Sequence, residues 1–257
     1  MLEGSRIAVV VPSYNEARWI GETVSTMPAY VDDILIIDDA SADDTAGVAS
    51  SLGDPRVTVV RHPENRGVGA AIATGYREAR ALGAHVVAVM AGDGQMHPDD
   101  LLAVALPVVR RQHDYVKGNR LGHPAVLHTM PLGRLAAGHV LGWLTGVAIG
   151  RPGLTDSQCG FTAISTSALE ALDLSAMWPR YGYPNDLLGA VARAGLSIGE
   201  VPVRPVYRGE ASGVRVWHVG TVAFLLARAA VRRALPARRA GERERESARL
   251  VGGRLPV

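Results

Sequence analysis

Two acidic clusters carry most of the chemistry this sequence can support. The first is Ile37-Asp38-Asp39-Ala40-Ser41-Ala42-Asp43-Asp44-Thr45, where an apolar run ends in paired carboxylates. Acids at the end of a buried strand are costly unless something pairs with them. A nucleobase with an imide or amidine N–H edge is one partner that fits. Ser41 and Asp43 suit the cap of the following helix, so local structure accounts for Ser41, Asp43 and Thr45 and leaves Asp39 for a ligand. The second cluster is Ala91-Gly92-Asp93-Gly94-Gln95-Met96-His97-Pro98. An Asp beyond a buried strand, with an oxygen ligand two residues on, suits Mg²⁺ or Mn²⁺ held together with phosphates of a ligand. His97 is a further candidate for a Mn²⁺ shell, although a loop histidine before proline serves more often as a solvated or capping group.

Two weaker motifs accompany them. Val11-Pro12-Ser13-Tyr14-Asn15-Glu16 falls where a strand becomes a loop. Pro12 removes a ladder donor, and Asn15 and Glu16 put polar groups at the strand's mouth, as an ordinary helix entry also would. Asn65-Arg66-Gly67-Val68-Gly69-Ala70 is a glycine-bearing entry to a helix. Such an N-terminus can face an anion, but a lone pair of glycines is weak evidence for one, and close packing of the helix on the sheet is the better single reason for them.

The elements that must position these motifs alternate along the first half of the chain. Strand-like runs at Arg6–Val11, Asp33–Ile37, Val57–Val60 and His85–Val89 are separated by helical stretches. These helices are expected at Ala17–Met27, Asp43–Leu52, Gly67–Leu82 and Asp99–Arg111. Short apolar strands between amphipathic helices predict an α/β fold with a mainly parallel sheet covered on both faces. Ligands of such folds bind beyond the carboxyl ends of the strands, which is where the polar motifs fall. The second half is less regular, with helices expected at Pro131–Val147, Asn185–Ala194 and Val214–Leu235 and a strand at Ser197–Tyr207. Residues 1–235 read as one catalytic domain, and 236–257, rich in Arg, Glu and Gly, as a disordered tail.

Composition narrows the class. The 257 residues are 47% apolar and 20% charged with a net charge of +2, an ordinary globular balance with no whole-molecule argument for nucleic-acid binding. Lys117 is the only lysine, and all other basic side chains apart from histidine are arginine. Cys159 is the only cysteine, which excludes a disulfide framework and a cysteine zinc site and fits a reducing, cytoplasmic compartment. The N-terminus has no signal-peptide pattern. The apolar stretches Pro131–Gly150 and Val214–Val231 are interrupted by Arg134 and His139 and by Arg215, His218 and Arg228, so neither reads as a spanning helix and membrane contact is expected to be peripheral at most.

Taken in order, the four motifs resemble those of inverting glycosyltransferases of the GT-A fold, nearest to dolichol- and polyprenol-phosphate mannose or glucose synthases. The resemblance runs from about Arg6 to Ser212. Further matches are Gly118-Asn119-Arg120, Asp156-Ser157-Gln158-Cys159-Gly160-Phe161, Glu200-Val201-Pro202-Val203 and Arg208-Gly209-Glu210-Ala211-Ser212. It implies that Pro12, Tyr14, Asn15, Glu16 and the Asp38-Asp39 pair surround base and ribose. Asp93 and Gln95 would bind metal and diphosphate beside the Gly67 helix entry, and the Arg208–Ser212 segment would cover the diphosphate. Two departures stand out. Many relatives carry Asp where this chain has Ala91, and many lipid-glycosylating relatives carry transmembrane helices that this sequence does not show.

The resemblance implies metal-dependent transfer of a sugar from a GDP- or UDP-sugar to a polyprenyl phosphate. Such an acceptor is already an anion and needs cations rather than a base; Arg120, Arg134 and Arg208 are the candidates. A sugar-hydroxyl acceptor would need a base, for which Asp156 and Asp186 are available, although Asp186 also reads as a helix-start acid. Tyr181-Gly182-Tyr183-Pro184 can stack on a sugar or pack on the core. The helix Val214–Val231, with arginines following, can lie on an anionic surface or form a dimer contact. A pyranose–furanose mutase acting on the nucleotide-sugar itself, and a non-catalytic binding domain, remain open alternatives.

Overall fold

The computed structural model describes residues 1–206 and 216–234. Four strands, β1 (Ile7–Ser13), β2 (Asp33–Asp38), β3 (Val57–Arg61) and β4 (Val86–Val89), are followed in turn by helices α1 (Ile20–Ser25), α2 (Thr45–Ser51), α3 (Val68–Ala81) and α4 (Asp100–Val109). Beyond them come β5 (Tyr115–Asn119), α5 (Val126–Thr129), α6 (Leu132–Ile149), β6 (Thr162–Ser165), α7 (Thr166–Glu170), α8 (Tyr183–Arg193), β7 (Ile198–Pro202) and α9 (Val216–Ala234). The seven strands form one sheet in the order β3-β2-β1-β4-β6-β5-β7. Only β6 runs against its neighbours, pairing antiparallel with both β4 and β5.

The strands are apolar on both faces because both faces are covered. Along β1, Ala8 and Val10 point into one core with Ile72 and Tyr76 of α3 and Leu187 and Val191 of α8. Ile7, Val9 and Val11 point into the other with Ile20 of α1 and Leu101 and Val104 of α4. This period of two on a buried strand is what a doubly covered sheet requires. Helix α3 sits close on β1: a Cβ at Gly75 would lie 2.2 Å from Val10 Cγ1.

The first four strand–helix pairs fall where the sequence predicts them, with ends shifted by a few residues. Two central strands, β5 and β6, were not foreseen, and α8 begins at Tyr183 rather than Asn185. The expected strand at Ser197–Tyr207 is confined to Ile198–Pro202; Tyr207 lies outside the described residues. So do Arg208, Ser212 and the segment 236–257.

The reading of Pro131–Gly150 as too interrupted for a spanning helix is corrected in one respect. Its 18 residues Leu132–Ile149 form one continuous helix of mean hydropathy 1.3, long and apolar enough to cross a membrane by length and composition, with 22% of it buried. Arg134 and His139 interrupt the apolar sequence but not the helix. Its small residues explain the buried face. A Cβ on Gly142 would meet the Thr155 carbonyl oxygen at 1.8 Å and one on Gly146 that of Arg151 at 2.6 Å.

Candidate active site at the carboxyl ends of the sheet

A cleft of about 340 Å³ opens where β1, β2 and β4 end, lined by Pro12, Tyr14, Glu16, Asp39, Gly67 and Asp93 among others. The first motif and the second are stitched together. Asn15 N donates to Ser41 Oγ (2.9 Å), and Ala42 N donates back to Asn15 Oδ1 (2.8 Å). Glu16 N donates to Thr45 Oγ1 (2.8 Å) and Ala17 N to Asp43 Oδ2 (3.1 Å). Asn15 adopts φ +59°, a conformation Asn tolerates better than most residues. Its side chain therefore holds the neighbouring loop, while Tyr14 and Glu16 line the cleft.

Both carboxylates at the end of β2 have partners inside the protein. Asp38, fully buried, accepts from Ser41 N at 3.0 Å. Its Oδ2 lies 3.2 Å from Arg61 Nε, an ion pair without hydrogen-bond geometry. Asp39 Oδ1 is bonded to His62 Nδ1 (2.7 Å) and Arg66 N (2.9 Å), and Oδ2 to Gly67 N (2.7 Å). The partner that the sequence assigned to a ligand is thus in part internal, although Asp39 still lines the cleft. His62 gave no sequence signal beyond its place after a strand. Gly67 has two reasons to be glycine: φ is +94°, and a Cβ would meet the Pro179 carbonyl oxygen at 2.5 Å. Ala70 N, in the first turn of α3, donates to that same carbonyl at 3.1 Å. Packing does account for the glycine pair, but against the 178–180 loop rather than against the sheet that the sequence suggests.

Beyond β4, Asp93 Oδ1 accepts from Gln95 N at 2.9 Å, tightening the loop that carries both. Gly92 is fixed against β1, with its N–H on the Pro12 carbonyl (3.3 Å). His97 is turned to other work: Arg204 Nη1 lies 3.0 and 3.1 Å from its two ring nitrogens, and Asp99 Oδ2 lies 3.5 Å from Nδ1. Among the described residues no group of three or more His, Cys, Asp or Glu side chains converges to hold a metal. What the loop offers is one carboxylate and one amide oxygen.

Arg120 and Asp156 form a bidentate pair, Nε to Oδ2 at 2.8 Å and Nη2 to Oδ1 at 3.0 Å, and Arg120 N also donates to Oδ2. Burial alone would raise the Asp156 carboxyl, but the hydrogen bonds and charge of Arg120, with Lys117 nearby, outweigh it and hold it down at about 2. Lys117, the only lysine, is fully buried, with Nζ bonded to the Gly118 and Asp156 carbonyls and 3.5 Å from Glu200 Oε1. Glu200 in turn accepts from Thr155 N and Oγ1, each at 3.0 Å, so a buried charge pair ties β5, β7 and the Asp156 loop together. A base role for Asp156 is poorly served by a carboxyl this acidic with both oxygens engaged.

Asp186 sits inside α8, accepts from Trp178 N (2.8 Å), and faces Arg228 and Arg232 of α9 at 3.5 and 3.9 Å. It docks α9, in keeping with a structural rather than a basic role. Burial raises the Tyr181 hydroxyl, and the charges of Arg120 and Arg134 oppose that shift. Both arginines are therefore close enough to one ring to share a neighbourhood. Tyr183 is buried against Gly160, where a Cβ would meet its hydroxyl at 2.7 Å. Its place is in the core.

With this geometry in view, the family assignment is direct: the chain belongs to glycosyl transferase family 2, whose model matches residues 8–173. It is a glycosyltransferase with the GT-A fold. A UDP-N-acetylglucosamine–dolichyl-phosphate N-acetylglucosaminyltransferase of Methanococcus voltae is 32% identical over 216 residues, covering 78% of this chain and 86% of that protein. An undecaprenyl-phosphate mannosyltransferase of Micrococcus luteus is 30% identical, covering 79% and 84%. Among solved structures, glucosyl-3-phosphoglycerate synthase from Mycobacterium tuberculosis, in complex with Mn²⁺ and UDP-glucose, superposes with a TM-score of 0.66 at 20% identity. The superposition covers 91% of this chain and 81% of that one and carries the likeness of fold.

Proposed function

We propose that this glycosyltransferase moves a sugar from a UDP- or GDP-sugar to a polyprenyl phosphate, with inversion at the anomeric carbon. The observation that carries the reading is the cleft itself, in which Asp39 and Asp93 stand at the ends of adjacent parts of one sheet with Tyr14 and Glu16 between them. Asp39 with the Pro12–Glu16 loop takes the base and ribose, with Asp38 and Asn15 bracing the two loops from behind. Asp93 and Gln95 take the diphosphate end. Relatives named for dolichyl phosphate and undecaprenyl phosphate support the acceptor class.

A divalent cation fits these residues. One carboxylate, one amide oxygen and the donor's own phosphate oxygens make the kind of mixed oxygen shell that Mg²⁺ or Mn²⁺ takes, and such an ion would neutralise charge on the departing diphosphate. Ala91 supplies no second acid, so the donor's phosphates have a larger share in holding it. His97 would join only by leaving Arg204.

The acceptor phosphate brings its own negative oxygen to the anomeric carbon; that C–O bond forms as the bond to the diphosphate breaks, and no proton has to be removed. Arg120 and Arg134, with Arg208 from outside the described residues, are assigned to the acceptor and donor phosphates. Asp156 acts by holding Arg120 in place. The tail of the acceptor lies in a bilayer, and the exposed face of α6 is assigned to that surface. Leu132, Val140, Trp143 and Val147 are exposed along it, and neither α6 nor α9 contains an acid. We assign the enzyme to the cytoplasmic side of that membrane, where nucleotide-sugars are made. The mutase alternative draws no support from the relatives, which are named as transferases.

The test is incubation with UDP- and GDP-sugars and Mg²⁺ or Mn²⁺, with and without polyprenyl phosphate. Release of nucleoside diphosphate that depends on the lipid supports transfer; an isomeric nucleotide-sugar of unchanged mass, formed without lipid, would replace it with the mutase.

A further inference from the structure

His62 is buried and does not line the cleft, yet it ends a chain of polar contacts aimed at a residue that does. Its Nδ1 lies 2.7 Å from Asp39 Oδ1 and its Nε2 3.0 Å from Thr74 Oγ1, and Arg77 Nη2 donates to that hydroxyl at 3.1 Å. The direction of each bond follows from what the ends can do. A carboxylate only accepts, so Nδ1 carries the hydrogen. In the neutral imidazole with that hydrogen, Nε2 accepts, so the Thr74 hydroxyl donates to it while accepting from Arg77. Every donor in that form then points from α3, through the residue that follows β3, toward Asp39.

The count of acceptor sites on Asp39 sharpens the consequence. A carboxylate oxygen has two lone-pair directions. Oδ1 fills both, with His62 Nδ1 and Arg66 N, whereas the bond from Gly67 N leaves Oδ2 with one site. Without His62 the carboxylate could rotate or leave Oδ1 as a second competing acceptor. We propose that His62 and Thr74 are positioning residues for donor choice: they lock the Asp39 carboxylate so that Oδ2 alone meets the base, as an acceptor that demands a ring N–H. Uracil and guanine present one; the corresponding ring nitrogens of cytosine and adenine are acceptors, and with Oδ2 held in place their neighbouring amino groups would meet it only by a shift of the base. The inference rests on the reading that Asp39 faces the nucleobase.

Calorimetric titration with UDP, GDP, CDP and ADP in Mg²⁺ tests it on the full chain, with thermal unfolding as a check of the fold. The wild type is expected to bind UDP or GDP well ahead of CDP and ADP, and Asp39→Asn to erase that preference. His62→Ala should shrink the preference by about tenfold or more, in line with losing a hydrogen bond to a charged group. His62→Asn, which keeps an N–H donor near the position of Nδ1, should restore most of it, and Thr74→Val should lose part of it. If the wild type shows no such dependence on the base, or Asp39→Asn keeps it in full, the reading of Asp39 itself fails. If Asp39→Asn erases the preference while His62→Ala and Thr74→Val keep it in full, Asp39 reads the base and the positioning inference is overturned. Should His62→Ala fail to fold, full preference in Thr74→Val overturns the inference by itself.

Discussion

Arg120 grips both carboxylate oxygens of Asp156, at 2.8 and 3.0 Å, in a site where the acid is almost fully buried and the guanidinium only partly so. The pair joins the turn after β5 to the loop before β6 and leaves Arg120 a charge directed by a fixed partner. Asp156, with a folded pKa of about 2 against an ordinary 3.8, is depressed, so its contribution is fully present above the ordinary value and is lost as pH falls through about 2. A shift of that size corresponds to about 2 kcal/mol. Arg120→Gln should remove most of it and raise the acid-unfolding midpoint, read by circular dichroism from pH 6 to pH 1.5. It should also lower turnover with the lipid acceptor. An unchanged acid limb would mean that Lys117 alone stabilises the carboxylate.

Asp93→Ala should reduce metal-dependent binding or turnover of the nucleotide-sugar by on the order of 100-fold, the scale of losing a group that stabilises transition-state charge. The melting temperature without ligand should change little, since the carboxylate sits in a surface loop. Full activity in this variant would refute the assignment of Asp93 to the diphosphate and its metal.

The position of much of the candidate cleft was legible in the sequence because polar motifs and strand ends coincide there. Asp39, Asp93 and Gln95 follow apolar strands, and a sheet with helices on both faces leaves only the strand ends open to a ligand. The partners of those residues were not legible. His62 meets Asp39 across 23 positions and Lys117 meets Glu200 across 83, and no local period announces either contact. β5 and β6 escaped for a related reason. Each is five residues or fewer, β5 carries a lysine and a glycine, and their places in the sheet are decided by long-range pairing, β6 with β4 and β5 with β6 and β7. His97 looked available to a metal because its partner Arg204 is more than a hundred residues away in the chain.

Gly69→Ala tests the packing account of the α3 entry. A Cβ there would stand 2.1 Å from the Trp178 carbonyl oxygen, which is backbone and cannot simply rotate away. Overpacking of this kind costs about 1–3 kcal/mol. A lower urea midpoint at constant slope is expected; unaltered stability would show that the 178–180 loop yields freely.

The exposed face of α6 makes a separate prediction about the membrane. Leu132 and Trp143 are 73% and 63% exposed on a helix without acids. Changing both to Glu should reduce cosedimentation with vesicles containing anionic lipid at least several-fold. Turnover of a long-chain polyprenyl phosphate should fall with it, while a short water-soluble analogue is used as before. Equal binding to vesicles by both forms would remove α6 from the membrane surface.

The most direct measurement of the central reading is nucleoside diphosphate release from a UDP- or GDP-sugar, followed in Mg²⁺ or Mn²⁺ as polyprenyl phosphate is added, with the sugar traced by mass. Release that rises with the lipid, matched by a glycosylated lipid phosphate, is the expected result. Release indifferent to the lipid, or a sugar that never leaves its nucleotide, would contradict it.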